Sequence, residues 1–193
     1  MNTEKLTPEK SLDLISRVIN EARNSFEENG FIYMFWGILI ALASAAQYIL
    51  LRNEYVNINY YPYFILPLGG IYTWYYYSKK KQGKLNQIGR LISGTWIILG
   101  LNMVVLGFFF GSELRQNLIP VILILLSVAI VISGISINSL LLIIAGILIN
   151  VSSYVGFSLE WIHHPLLMSV VSVVAILIPG IILMINHKRK INV

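Results

Sequence analysis

The sequence predicts an all-α membrane protein: a polytopic bundle of six transmembrane helices, preceded by an amphipathic cytosolic helix. Hydrophobic residues make up 56% of the chain and charged residues only 12%, about half the charged share of ordinary soluble domains. Six long stretches contain no Asp, Glu, Lys, Arg or His. Each is close to the roughly 20 apolar residues that a helix needs to cross a bilayer.

These six stretches set the boundaries of the predicted elements. The spans are, in order, 31–51, 60–77, 91–110, 118–135, 139–157 and 165–185. A charge at the centre of a membrane helix costs about 2.5–3.5 kcal/mol, so the absence of charge from all six indicates insertion. The chain then divides into a cytosolic helix at 1–30, a transmembrane domain at 31–186 and a basic cytosolic tail at 187–193.

The N-terminal segment has the features of an amphipathic helix. Thr7 can cap it, Pro8 suits its first turn, and Gly30 follows its end. An apolar stripe at alternating spacings of three and four would lie on one face: Leu12, Ile15, Ile19, Ala22 and Phe26. Acids outnumber bases here, unlike in helices that adhere to anionic membranes. We therefore expect this helix to pack on protein, either under the bundle or against a second copy.

The second span, 60–77, needs a separate argument because Pro67 and Gly69–Gly70 interrupt its centre. A re-entrant loop is the alternative. Lys and Arg concentrate in short cytoplasmic loops. Six crossings with the N-terminus inside place twelve basic residues inside and two, Arg52 and Arg115, outside. Without this crossing the numbers become five inside and nine outside, so the charges favour six spans with both termini in the cytoplasm.

The loop at 78–90 carries a strongly basic cluster after a run of three tyrosines. Its positive residues are Lys79, Lys80, Lys81, Lys84 and Arg90. On the cytoplasmic side such a cluster can attract anionic lipid heads or an acidic partner segment. Nucleic acid is not expected as a partner, because a short loop tied to two membrane helices offers little groove and topology already explains the net charge of +5.

Polar side chains within the spans are few, and they are the candidate ligand-binding residues: Gln47, Thr73, Asn102 and Asn150. They could line a cavity for a small polar ligand. Alternatively they could form hydrogen bonds between helices, which contribute about 0.6–2 kcal/mol each. Gly100 and Gly107, one heptad apart, mark a face where another helix could approach closely.

The segment "EWIHHP" at 160–165 is the one cluster with the residue types of a metal site. Glu160 and His163 are three residues apart and His164 is adjacent, which makes them weak candidates for metal ligands. A metal hydrolase would also need a third firm ligand, a base and a cleft. The chain has no cysteine, so thiolate chemistry is excluded. We expect no catalytic residues, no cofactor and no enzyme activity.

The run "SLDLISRVINEARNSFEENGFIYMFWGILI" followed by a short six-span body resembles small uncharacterised inner-membrane proteins of Bacteroidota-type bacteria. The resemblance implies a cell inner membrane as the location and implies no activity.

Two functions follow from the sequence. The first is a non-enzymatic membrane component that contacts membrane lipids and binds a partner protein, or itself as a homo-oligomer, through the segment 1–30 and the loop 78–90. The alternative is a small transporter or channel that uses the broken second helix and the amides within the spans.

Overall fold

The computed structural model describes residues 12–20, 30–79 and 87–191, and within these ranges the chain is helical, without strands. The α-helices are α1 at 12–20, α2 (Gly30–Arg52), α3 (Ile65–Lys79), α4 (Gln87–Phe109), α5 (Gly111–Leu114), α6 (Leu118–Ser136), α7 (Leu140–Ser158), α8 (His164–Ser172) and α9 (Ile178–Ile191). A π-helical segment, Val173–Leu177, joins α8 to α9, so that the two form one final helix. The predicted all-α class is confirmed.

In the described part of the chain, five helical segments are long enough and apolar enough to cross a membrane. They are Gly30–Arg52, Gln87–Phe109, Gly111–Ser136, Leu140–Ser158 and Trp161–Arg189. Each contains one of the predicted spans almost completely. This arrangement is typical of a membrane protein. The helix α3, at the predicted second span, has only 15 residues, so the sixth crossing stays a prediction.

The helix α3 and the 3-10 turn before it lie along α2 in the opposite direction. Ser44 and Tyr63 share a hydrogen bond of 3.0 Å near one end. Trp36 Nε1 donates to Thr73 Oγ1 at 3.0 Å further along, and the ring of Phe31 lies 6.0 Å from that of Tyr76 at the other end. These contacts cover most of the length of α2.

The expected break in the middle of the second span is not present. The helix α3 runs without interruption through Gly69 and Gly70, and Pro67 lies in its first turn. Proline is tolerated in a first turn because the N–H that it lacks would have no partner within the helix.

The core lies between α2, α6, α7 and the final helix. Helices α6 and α7 form an antiparallel hairpin with the most extensive contact in the fold. Leu123, Ile130, Leu142 and Ile149 on this hairpin have no exposed surface. The turn between the two helices ends in Asn138, whose φ of 51° is left-handed, a conformation that Asn tolerates better than most residues.

Glycines allow α2 to pack very closely against the final helix. A Cβ added at Gly180 would lie 2.6 Å from Met34 N, and one added at Gly37 would lie 2.7 Å from Leu177 N. Pro179 cannot donate the usual helical hydrogen bond, and the π-helical segment ends two residues before it; such a local change of helix type is a common way to adjust to that loss. The irregular turns of the final helix therefore lie where it contacts α2.

Helices α3 and α4 are at the periphery and expose large apolar side chains, among them Leu68, Trp74, Ile97 and Leu101. Such surface suits contact with lipid tails. The predicted N-terminal helix is described only at 12–20, which is helical with Leu12 and Ile15 exposed. Ile19 of the stripe is half-buried, and its last two residues, Ala22 and Phe26, lie outside the described residues.

Candidate functional site

A half-open cavity of about 420 Å³, here called the end cavity, lies at the end of the bundle that holds the C-terminus of α2. Three connections meet there: α2 to α3, α4 to α6, and α7 to the final helix. Its volume falls in the range of about 300–1,000 Å³ that is usual for small-molecule sites. The polar or aromatic residues that line it are Gln47, Asn59, Arg115, Gln116, Trp161 and His164.

Gln47 projects from the last turns of α2. Its Nε2 donates a hydrogen bond to Asn59 Oδ1 at 2.8 Å, which ties the helix to the connection that follows it. Its Oε1 is buried and accepts no hydrogen bond from the described residues. A buried acceptor without a donor lowers the stability of a protein by about 1–3 kcal/mol. A ligand whose N–H or O–H donated to Gln47 Oε1 would remove this cost, and its binding would be favoured.

Arg115 contributes the charge of the end cavity. Among the described residues that line the cavity it is the one with a fixed charge, and none of them is Asp or Glu. The ion pair that the described residues form, Arg17–Asp13, lies within the exposed α1 and does not involve Arg115. Arg115 also has a φ of 46°, a left-handed conformation that non-glycine residues rarely adopt. Backbone strain of this kind is concentrated at functional sites.

His164 and Trp161 form the wall at the start of the final helix. His164 is buried, and its Nε2 lies 3.1 Å from the carbonyl oxygen of Leu159. A carbonyl oxygen only accepts, so Nε2 carries the proton and donates. This hydrogen bond fixes the ring across the 3-10 turn Trp161–His163. Pro165 follows in the first turn of α8, where proline is favoured.

Two of the three weak metal candidates, His163 and His164, make other contacts. The described residues contain no group of three His, Asp or Glu side chains placed to share a metal ion. The ring of His163 lies 6.4 Å from that of Tyr48 on α2, His164 bonds to the backbone, and Glu160 precedes the 3-10 turn as an exposed residue.

The four polar residues predicted to bind a ligand are not brought together. Only Gln47 lines the end cavity. Thr73 Oγ1 accepts from Trp36 and donates to the carbonyl of Gly69. Asn150 Nδ2 donates to Ser127 Oγ at 3.1 Å, between α7 and α6. Asn102 Nδ2 donates to the Ile98 carbonyl in its own helix.

The basic cluster is described only at its edges. Lys79 ends α3, with its Nζ 4.7 Å from the centre of the Tyr75 ring, which is within the range of a cation–π contact. Arg90 is exposed in the first turn of α4. Lys80, Lys81 and Lys84 lie outside the described residues.

Sequence reasoning did not identify Asn59, Arg115 or Gln116 as members of a site. Arg115 did have a signal that could have singled it out, because it is one of only two basic residues on the side that topology predicts to be poor in positive charge. Asn59 and Gln116 lie in short polar connections, and their proximity to Gln47 depends on how the helices pack.

Comparison with known proteins gives no relative: no protein-family model, no curated protein and no solved structure matches this chain.

Proposed function

We propose that the chain is a six-span protein of a bacterial inner membrane that binds a small solute in the end cavity, at the outer face, with both termini in the cytoplasm. In this proposal it acts as a binding component and not as an enzyme.

Two observations support the sixth crossing. Gln47 near the end of α2 and Gly111 just after α4 line the same cavity, so α2 and α4 run in the same direction. The chain between them must return to the opposite end of the bundle. The helix α3 follows α2 over most of its length in the reverse direction, and the distribution of Lys and Arg favours the same topology.

The end cavity is the observation that carries the proposed function. All three connections that the topology places outside contribute to it. Its walls combine apolar surface from Leu118 and Ile119 with amides and one guanidinium, which is the composition typical of small-molecule sites. A solute in this position would reach the protein from the outer aqueous phase without crossing the membrane.

The test fills the cavity with a side chain. Gly111 lines the end cavity, so we expect Gly111→Phe to abolish binding of small solutes. Gly107→Phe is the matched control, because nothing in the described structure lies within 4 Å of a Cβ at Gly107. The probes are three indoles of similar size, indole-3-acetate, indole-3-acetamide and tryptamine, titrated by calorimetry into the full chain in detergent.

At least one probe should bind the wild type and the Gly107→Phe variant with one site per chain, and the Gly111→Phe variant should bind none. Absence of binding by all three probes to the wild type, or equal binding to the two variants, would show that the end cavity is not a solute site.

Docking of a partner is a second candidate function, favoured by the exposure of apolar side chains on α1. Leu12, Leu14 and Ile15 are exposed by 53–65%. A water-exposed apolar stripe suggests a protein partner, either a second copy or the underside of the bundle. The exposed Lys79 and Arg90 flank the basic loop that would face the acids of this segment or anionic lipid heads.

Deletion of residues 1–28 should reduce assembly and lower the melting temperature in detergent, and unchanged values of both would exclude this role.

The transporter alternative has less support. The helix α3 is continuous through its glycines, and the four polar candidates bond within their own or neighbouring helices or lie at the end cavity. We therefore propose binding without a transport path.

A further inference from the structure

The charge of the end cavity selects among ligands. Its lining in the described chain contains Arg115 and no carboxylate, and the guanidinium keeps its charge in proteins and matches an oxyacid group with two parallel hydrogen bonds. The amides of Gln47 and Asn59 add no net charge. An anionic ligand would therefore be favoured and a cationic one repelled.

The buried acceptor on Gln47 adds a second requirement. Its Oε1 has no hydrogen-bond partner among the described residues, while its Nε2 is already committed to Asn59. Exchange of the two amide atoms of Gln47 would place its Oε1 against Asn59 Oδ1, and two acceptors cannot form a hydrogen bond unless the Asn59 amide also turned. A ligand with an N–H or O–H would satisfy Oε1 after a small movement of the side chain.

The remaining wall is apolar. Leu118, Ile119 and the indole of Trp161 line it, and a planar or aliphatic ligand body would bury its surface there. The cavity volume of about 420 Å³ leaves room for a ligand of the size of an amino acid or a somewhat larger molecule.

We propose that the ligand of the end cavity is a small organic anion whose oxyacid group pairs with Arg115 and whose N–H or O–H donor bonds to Gln47 Oε1. This inference rests on the proposed function, and it names the chemistry of the solute. A soluble carboxylate and the phosphate head of an anionic lipid share this chemistry.

The experiment compares matched probes on the wild-type chain. Indole-3-acetate supplies an anion, an apolar ring and an N–H; indole-3-acetamide is its neutral analogue and tryptamine its cationic one. Calorimetry in phosphatidylcholine nanodiscs should show that indole-3-acetate binds most tightly, indole-3-acetamide less tightly and tryptamine most weakly. The dissociation constants of the first two should differ about tenfold or more, as expected for a charge-assisted hydrogen bond. Naphthalene-1-acetate, which lacks the N–H, should bind several-fold more weakly than indole-3-acetate.

Variants assign these preferences to residues. Arg115→Gln should remove the preference for the anion, whereas Arg52→Gln should keep it, because Arg52 ends α2 without lining the cavity. Gln47→Met should equalise indole-3-acetate and naphthalene-1-acetate, whereas Asn102→Leu should not. Far-UV circular dichroism establishes that each variant is folded, and the order of the probes on the wild type does not depend on any variant.

The outcomes separate this inference from the proposed function. Equal affinity for the anionic, neutral and cationic probes, or a preference for tryptamine, would overturn the anion assignment and leave a solute site in place. No binding by any probe would overturn both. If phosphatidylglycerol in the nanodiscs weakens indole-3-acetate binding, the lipid head is the ligand; if it has no effect, the ligand is a soluble anion, and either result supports the proposed chemistry.

Discussion

Arg115 combines the charge of the end cavity with a backbone conformation that favours glycine. Its φ of 46° is left-handed, and such a residue costs about 1–3 kcal/mol of strain. Arg115→Gly should remove this strain, partly offset by the greater freedom of glycine in the unfolded chain. We expect a net gain of about 1 kcal/mol in the free energy of unfolding, together with about tenfold weaker binding of indole-3-acetate.

Glu54 supplies the control for this prediction. Its φ is 64° at the end of α2, and it does not line the end cavity. Glu54→Gly should raise the melting temperature in detergent by a similar amount and leave binding unchanged. A loss of stability in Arg115→Gly would show that its side chain holds the connection together and that its conformation is not a cost accepted for binding.

Asn150 should behave as a packing residue. Its Nδ2 donates to Ser127 Oγ across the α6–α7 hairpin, and such bonds between membrane helices contribute about 0.6–1.7 kcal/mol. Asn150→Leu should therefore lower the melting temperature modestly, with no change in the affinity for indole-3-acetate. Gln47→Met should instead weaken the binding of indole-3-acetate, because it removes Oε1 from the end cavity. A loss of binding in Asn150→Leu with unchanged stability would place the ligand between α6 and α7.

At the level of single residues, the sequence identified Gln47 as a polar group worth testing and could not distinguish it from Asn150. Both are lone amides in apolar runs. What separates them is the partner that packing brings to each: a serine hydroxyl for Asn150, and for Gln47 Oε1 no donor among the described residues.

Among the helices, the contact of α2 with the final helix leaves no room for an added methyl group at Gly180. A Cβ at Gly180 would lie 2.6 Å from the backbone nitrogen of Met34, and backbone cannot move aside as a flexible side chain can. Gly180→Ala should destabilise the protein by about 1–3 kcal/mol. Thermal unfolding in detergent, followed by circular dichroism, measures the effect.

Gly100→Ala is the matched control, since nothing in the described structure lies within 4 Å of a Cβ there. It should leave stability unchanged or raise it, because alanine favours the helix. If Gly100→Ala destabilised the protein more than Gly180→Ala, then α4 would form a tight interface with another chain.

Helices were predictable from the sequence because charge-free runs of the right length are nearly sufficient to define them. The five spanning segments overlap the predicted spans, and three of them begin four to seven residues earlier than predicted. The glycines at close helix contacts were harder to predict. Spacing singled out Gly100 and Gly107, yet the close approaches in the described structure are at other glycines, among them Gly37, Gly146 and Gly180. Spacing shows where a helix could be approached, and packing decides which face is used.

For the whole molecule, the number of crossings is the property that a direct experiment can decide. The chain has no cysteine, so a single introduced thiol reports its own side of the membrane. Asn53→Cys should react with an impermeant maleimide in intact cells, since the six-span topology places it outside. Ser78→Cys, at the other end of α3, should react only in inverted vesicles. Both positions are exposed.

Reaction of both cysteines from the same side would contradict a crossing by α3 and leave five spans. An Asn138→Cys variant is not a suitable marker for this purpose, because Asn138 holds the left-handed end of the α6–α7 turn.

The sequence alone could establish the class of this molecule and not its site. Composition and charge distribution are summed over many residues, so the class that they predict does not depend on how the helices pack. The end cavity depends on three connections that are distant in sequence, near residues 47–59, 111–119 and 161–165. Only the way in which the helices pack brings these connections together.

The pairing of α2 with the final helix also bears on how the protein is made. In the described chain, α2 is the first segment able to span a membrane and the final helix is the last, and they pack together along most of their length. A chain emerging from the ribosome must therefore hold α2 in the bilayer without its principal neighbour until the final helix has been synthesised. A chain truncated before residue 164 would therefore insert in the membrane without the principal neighbour of α2 and would be exposed to quality control.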